Sequence, residues 1–123
     1  MKTQGRSILI VDDAALIVKR LVAMLNGLNS IKSINTASNY REAVAVLRET
    51  TIDVALLDIH LGGKNGIELL KYITSDYPAI KVVMLTNAGN EKYRELCKKE
   101  GASYFIDKSK EFEMVPEVLA SIE

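Results

Sequence analysis

Several polar residues in this chain stand where short apolar runs end. Asp12 and Asp13 follow the run 8–11, Asp58 follows 54–57, Thr86 follows 82–85, and Lys108 comes shortly after 104–106. Two adjacent carboxylates at ~4 Å and an effective dielectric of ~20 repel by roughly 4 kcal/mol. Carboxylates gathered without an arginine nearby in sequence are suited to a hard cation such as Mg2+. That ion takes octahedral oxygen coordination and uses one or two carboxylates together with waters and phosphate oxygens. A lysine adds a mobile positive charge suited to a phosphoryl oxygen, and a threonine hydroxyl can donate to another. A carboxylate among them can act as a nucleophile and form an acyl phosphate. Phosphoryl transfer needs mostly positioning and charge neutralisation, which such a set supplies.

These residues can act together only if the fold gathers them. Strand-length apolar runs alternate with stretches of helical period. Residues 7–12 read as the first strand, and from Leu16 an apolar stripe runs through Ile17, Leu21, Met24 and Leu28 at helical spacing. Residues 31–37 are half polar, as an edge strand can be. Asn39 is an N-cap for a helix with Tyr40, Ala43, Val44 and Leu47 on one face. An apolar strand over 54–58 that ends in an acid, a loop over 62–66 and a helix over 67–76 follow, with Pro78 in the next turn. The spacing then predicts a strand over 81–85, a helix over 91–100 stopped by Gly101, a strand over 104–107 and a helix over 111–122. Pro116 is tolerated there only in an early turn.

Five βα units mean an α/β fold, a three-layer doubly wound parallel sheet. Apolar strands one, three and four belong at the centre, which suggests the flavodoxin-like order 2-1-3-4-5. In such sheets the site lies beyond the carboxyl ends of the strands, near the switch between strands one and three. The assignments deliver Asp12 and Asp13, Asp58, Thr86 and Asn87, and Asp107 and Lys108 to that one edge.

The totals narrow the function. The chain has 123 residues, 48% of them hydrophobic, which suits a single domain over residues 1–123 with a real core. Sixteen basic residues balance sixteen acidic ones, so there is no basic footprint for direct nucleic-acid binding and no block of cations for a membrane surface. No apolar run is long enough to span a bilayer, and the expectation is a soluble cytoplasmic protein. One cysteine, Cys97, and one histidine, His60, exclude an internal disulfide and a cysteine- or multi-histidine metal site. Cys97, at helical spacing from Tyr93, is expected in the core.

The stretches VDD, VALLDIHLGGKNGIEL, VVMLTNAG and GASYFIDKS, in that order and each at a strand end, resemble the receiver domain of two-component response regulators, including the single-domain chemotaxis type. The resemblance covers essentially the whole chain and implies roles position by position. Asp58 would be the phosphoacceptor. Asp12 and Asp13 would hold Mg2+, Asp13 more directly, together with Asp58 and the backbone carbonyl of His60. Thr86 would bind the phosphoryl group and move with it, and Lys108 would pair with it. Phe105 falls at the switch-aromatic position, where tyrosine is usual, and Tyr104 should face the other side of the strand. The resemblance further implies a sensor histidine kinase or phosphotransfer protein as phosphate donor. It also implies a downstream protein reading the face of the fourth helix, fifth strand and fifth helix, and it is compatible with a homodimer. It implies no enzyme beyond the domain's own Mg2+-dependent phosphorylation and dephosphorylation, and no output domain within the chain.

The sequence also departs from that pattern. Gly62 and Ser109 stand where proline is common, so the cis bond expected of the second proline is not assured; a cis non-proline bond costs ~3 kcal/mol. Asn87 is bulkier than the usual residue after the switch threonine. His60 and Ala88 occupy positions that tune water access. Three alternatives remain. Asp12 and Asp13 could merely cap the following helix. The chain could be a pseudo-receiver, an interaction module that never takes phosphate. More distantly, it could be a small aspartyl-phosphate phosphatase, although His60 stands where such enzymes carry a second acid.

Overall fold

The computed structural model describes residues 5–61, 65–87 and 91–122. Gly62 and Ala88, whose departures were noted above, lie outside the described residues, as does much of the 62–66 loop. The elements are β1 (Arg6–Val11), α1 (Ala15–Leu25), β2 (Ile31–Ala37), α2 (Tyr40–Glu49), β3 (Val54–Leu57), α3 (Gly66–Asp76), β4 (Lys81–Thr86), α4 (Glu91–Lys99), β5 (Tyr104–Asp107) and α5 (Val115–Ser121). All strand pairings are parallel, in the order β2-β1-β3-β4-β5. The expected fold class and strand order are thus observed, with boundaries shifted by a residue or so.

The last helix is the main departure. Instead of one helix over 111–122, a 3-10 turn at Phe112–Met114 precedes α5, and Pro116 sits in the first turn of that shorter helix. Proline has no N–H and cannot take part in a helix interior, so the α-helix starts beside it rather than running through it.

The period of two along each strand builds two cores. Leu9, Val11, Ala55, Leu57, Val82 and Met84 face one layer with α2, α3 and α4 residues such as Leu47, Leu70 and Cys97. Ile8, Ile10, Val54, Leu56, Val83, Leu85 and Ile106 face the other with Leu21, Leu25, Phe112 and Leu119. Cys97 is fully buried, as expected, and burial pushes its thiol pKa up. The weakly apolar β2 is one of the two edge strands, and its burial is only partial.

Helix ends follow local chemistry. Asn39 caps α2 by accepting from the Glu42 amide at 2.8 Å. Asn65 and Glu68 form a reciprocal capping box at the start of α3. Gly101 ends α4 at φ 109°, a left-handed backbone that favours glycine, and the Ala102 amide returns to the Cys97 carbonyl at 2.9 Å.

Candidate functional site: an acidic cluster bridged by Lys108

Three residues of the site lie one position past a strand, yet their backbone amides still donate to the neighbouring strand. The Asp12 amide donates to Ala37 O at 3.1 Å, that of Asp58 to Val11 O at 3.0 Å, and that of Lys108 to Thr86 O at 2.9 Å. The sheet ladder therefore fixes these Cα positions before any side chain contributes. Period-two phase then places the three together. Asp12 continues the phase of Ile10, Asp58 that of Leu56 and Lys108 that of Ile106, all on the α1/α5 side.

The side chains meet accordingly. Lys108 Nζ donates to Asp12 Oδ2 at 2.7 Å and to Asp58 Oδ2 at 3.1 Å. All three side chains are over nine-tenths buried. Burial alone would push the Lys108 pKa down, but the Asp12 hydrogen bond and the charges of Asp58 and Asp12 outweigh it, and the net shift is upward. Asp12, Asp13 and Asp58 each bring a carboxylate oxygen within 4.8 Å of the others; Asp12 and Asp58 are buried, Asp13 exposed. Three carboxylates and one ammonium sum to −2. That charge and an all-oxygen donor set fit a divalent hard cation.

The helix-capping alternative does not describe this arrangement. The N-cap residue of α1 is Ala14, with no side-chain cap bond. Asp12 instead closes a two-residue turn, accepting from the Ala14 amide through Oδ1 at 2.9 Å. Its Oδ2 remains with Lys108.

Thr86 ends β4 fully buried and Asn87 after it is exposed. His60 is exposed, its amide 3.4 Å from Asp58 Oδ1 and its ring edge-on to Tyr93 at 6.3 Å between centroids. Phe105 is half-buried in the α2–α3–α4 core, and Tyr104 is exposed on the other side of the strand, as its position predicts. The Arg94 guanidinium lies 4.8 Å from the Phe105 ring centroid. No cis peptide occurs among the described residues.

Three features were not anticipated. Asp107, expected at the acidic edge, turns its carboxylate onto its own turn: Oδ1 accepts from the Ser109 amide at 2.9 Å and the Ser109 hydroxyl at 2.7 Å. Phase could have revealed this, because Asp107 alternates with Lys108. Glu111 Oε1 accepts from the Asp107 amide at 2.9 Å and lies 4.0 Å from Arg94. Gly66 packs so closely on the loop after Asp58 that a Cβ there would collide with the Asp58 carbonyl. Its amide donates to Ile59 O at 2.7 Å.

Comparison with known proteins identifies the family and matches the fold. The family described as response regulator receiver domain matches residues 8–120. The transcriptional regulatory protein LnrK of Bacillus subtilis is 34% identical over 99 residues, covering 80% of this chain and 45% of that protein. A protein-glutamate methylesterase/protein-glutamine glutaminase of Clostridium acetobutylicum is 35% identical over 111 residues, 87% of this chain and 32% of that protein. The chain spans about half the length, or less, of such curated relatives. Among solved structures, the response regulator domain of Thermotoga maritima CheB matches with TM-score 0.84 at 27% identity, covering 95% of this chain and 92% of that one. A CheY-like receiver domain protein from Methanospirillum hungatei matches equally well in TM-score, 0.84, at 25% identity and the same coverage. No helix among the described residues is long and apolar enough to cross a membrane.

Proposed function

The chain belongs to the response regulator receiver domains of two-component systems, and from that premise we propose that it accepts a phosphoryl group on Asp58 and thereby switches a partner-binding face. The observation that carries the reading is Lys108, whose ammonium holds Asp12 and Asp58 together inside a cluster of three acids.

Asp12, Asp13 and Asp58, with the His60 carbonyl, would hold Mg2+. The bound ion would neutralise charge on the cluster and on the incoming phosphoryl oxygens. An Asp58 carboxylate oxygen attacks phosphorus, the donor's P–N bond breaks, and the leaving imidazole of a kinase or phosphotransfer histidine takes up a proton. Lys108 follows the new charge from the carboxylate to the phosphoryl oxygens. From the end of β4 the buried Thr86 hydroxyl would donate to another of them. Its movement shifts the segment after β4 and the packing of Phe105, so two arrangements of the α4–β5–α5 face exchange population. A downstream protein binding that face would be the output.

The test is intact mass after incubation with acetyl phosphate, with and without Mg2+, for the natural chain and Asp58→Asn. One phosphoryl adduct that needs Mg2+ and is missing from the variant supports the reading. No adduct on the natural chain would favour an interaction module that works without phosphate.

A further inference from the structure

Lys108 is a long side chain on a turn where receiver domains commonly carry a proline and this chain has Ser109. A lysine holding two acids at 2.7 and 3.1 Å requires a fixed starting point. Here the peptide groups on both sides of Lys108 are pinned. The Lys108 amide donates to Thr86 O at 2.9 Å. The next amide, on Ser109, donates to Asp107 Oδ1 at 2.9 Å, and the Ser109 hydroxyl and the Lys110 amide donate to the same oxygen at 2.7 and 3.2 Å. The Asp107 backbone is equally engaged: its carbonyl accepts from the Glu111 amide at 2.7 Å, and its amide donates to the Glu111 carboxylate at 2.9 Å. One carboxylate oxygen thus gathers three donors from the two residues that follow Lys108.

We propose that Asp107 is a positioning residue for Lys108: its carboxylate, closed over Ser109 and Lys110, fixes the turn that aims the ammonium at Asp58. The proposal rests on Asp58 being the phosphoacceptor. Asp107 touches none of the reacting atoms. It acts through the geometry of its neighbour, and hydrogen bonds take the place of a proline ring in stiffening the turn. A carboxylate fits this role because it only accepts, whereas all three partners donate. An asparagine keeps an accepting Oδ1 and should retain most of the effect; an alanine keeps none.

The experiment measures the initial rate of Asp58 phosphorylation by acetyl phosphate at saturating Mg2+, by intact mass, with a thermal melt on each protein. The variants are Asp107→Ala, Asp107→Asn, Ser109→Ala, Lys108→Met and the double variant Asp107→Ala/Lys108→Met. Displacing a reacting group by ~1 Å can slow a reaction up to ~100-fold. We expect Asp107→Ala to slow the reaction roughly tenfold, Ser109→Ala less, and Asp107→Asn to recover most of the rate. In the Lys108→Met background, Asp107→Ala should change nothing further, because the group it positions is gone. A folded Asp107→Ala or Ser109→Ala protein reacting at the natural rate would overturn the proposal. So would the same fold-loss with and without Lys108, which marks a general structural role. No adduct on the natural chain would instead remove the phosphoacceptor reading, and this inference with it.

Discussion

Replacing Asp13 by asparagine should stabilise the metal-free protein while removing its response to Mg2+. A carboxylate oxygen of Asp13 lies within 4.8 Å of one on each of Asp12 and Asp58. At that separation, one like-charge pair is worth ~3.5 kcal/mol at an effective dielectric of ~20 and ~0.9 kcal/mol in bulk water. Asp13 is exposed, so its two repulsions belong near the lower figure, and part of the gain is offset by lost attraction to Lys108. The net expectation is a gain of about 1 kcal/mol. For a domain of this size that is a melting temperature higher by about 4 °C. The assay is thermal unfolding followed by circular dichroism, in chelator and then in Mg2+, at low and high salt. The natural chain should be stabilised by Mg2+, because a ligand that binds only the folded state adds stability by mass action. Asp13→Asn should melt higher in chelator, gain little from Mg2+, and lose part of its advantage as salt screens the repulsion. If it melts lower than the natural chain in chelator, or responds equally to the ion, then the three acids do not share one strained site and the reasoning fails.

Five further outcomes follow from the structure. Lys108→Met leaves Asp12 and Asp58 buried without their cation, so chemical denaturation in chelator should show a loss of about 3 kcal/mol. The same variant should bind Mg2+ roughly tenfold more tightly by calorimetric titration, since no charged hydrogen bond of ~1.5 kcal/mol has to be broken at Asp12. The raised Lys108 pKa sets a direction: its stabilisation is complete below the unfolded value near 10.5 and is lost as pH rises through the higher folded value. The stability gap between the natural chain and Lys108→Met should therefore hold at neutral pH and narrow only in strong alkali. Gly66→Ala should lower the melting temperature steeply and displace the backbone after Asp58, visible as large amide chemical-shift changes around Ile59, because its Cβ meets the Asp58 carbonyl. Cys97, fully buried with a raised thiol pKa, should react with a thiol reagent only on unfolding, at a rate that tracks denaturant.

Much of this architecture was legible because two kinds of periodicity carry it. Alternating strand and helix spacing yields five βα units, and the half-polar 31–37 run identifies an edge strand. The rule that sites lie beyond the carboxyl ends of parallel strands then gathers Asp12, Asp13, Asp58, Thr86, Asn87, Asp107 and Lys108 before any contact is known. The same alternation separates Lys108 from Asp107, a consequence the sequence contained and that strand-end proximity alone obscured. Gly66 was a different matter. Its need for a bare Cα comes from the Asp58 carbonyl passing over it, a contact between the start of a helix and a loop eight residues earlier that no local pattern records. Arg94 was hidden for a similar reason: on a charged, solvated helix it looks like any surface cation, and only the path of β5 brings Phe105 and Glu111 beside it.

The acids that suit this site for a cation also oppose folding without one, and Lys108 resolves that conflict. An ammonium held by two buried carboxylates reduces the cluster's charge from −3 to −2, which allows the core beneath to close in the absence of metal. Because lysine is a flexible point charge rather than a rigid fork, it can give up Asp12 without leaving the site. A guanidinium in its place would hold both carboxylates in a fixed planar geometry and resist that exchange. The side chain that stabilises the metal-free state is therefore also the one that, under the proposed function, would be free to follow charge from Asp58 to a phosphoryl group. That double duty gives the turn carrying it, closed by Asp107 and Ser109, a part in the site alongside the acids.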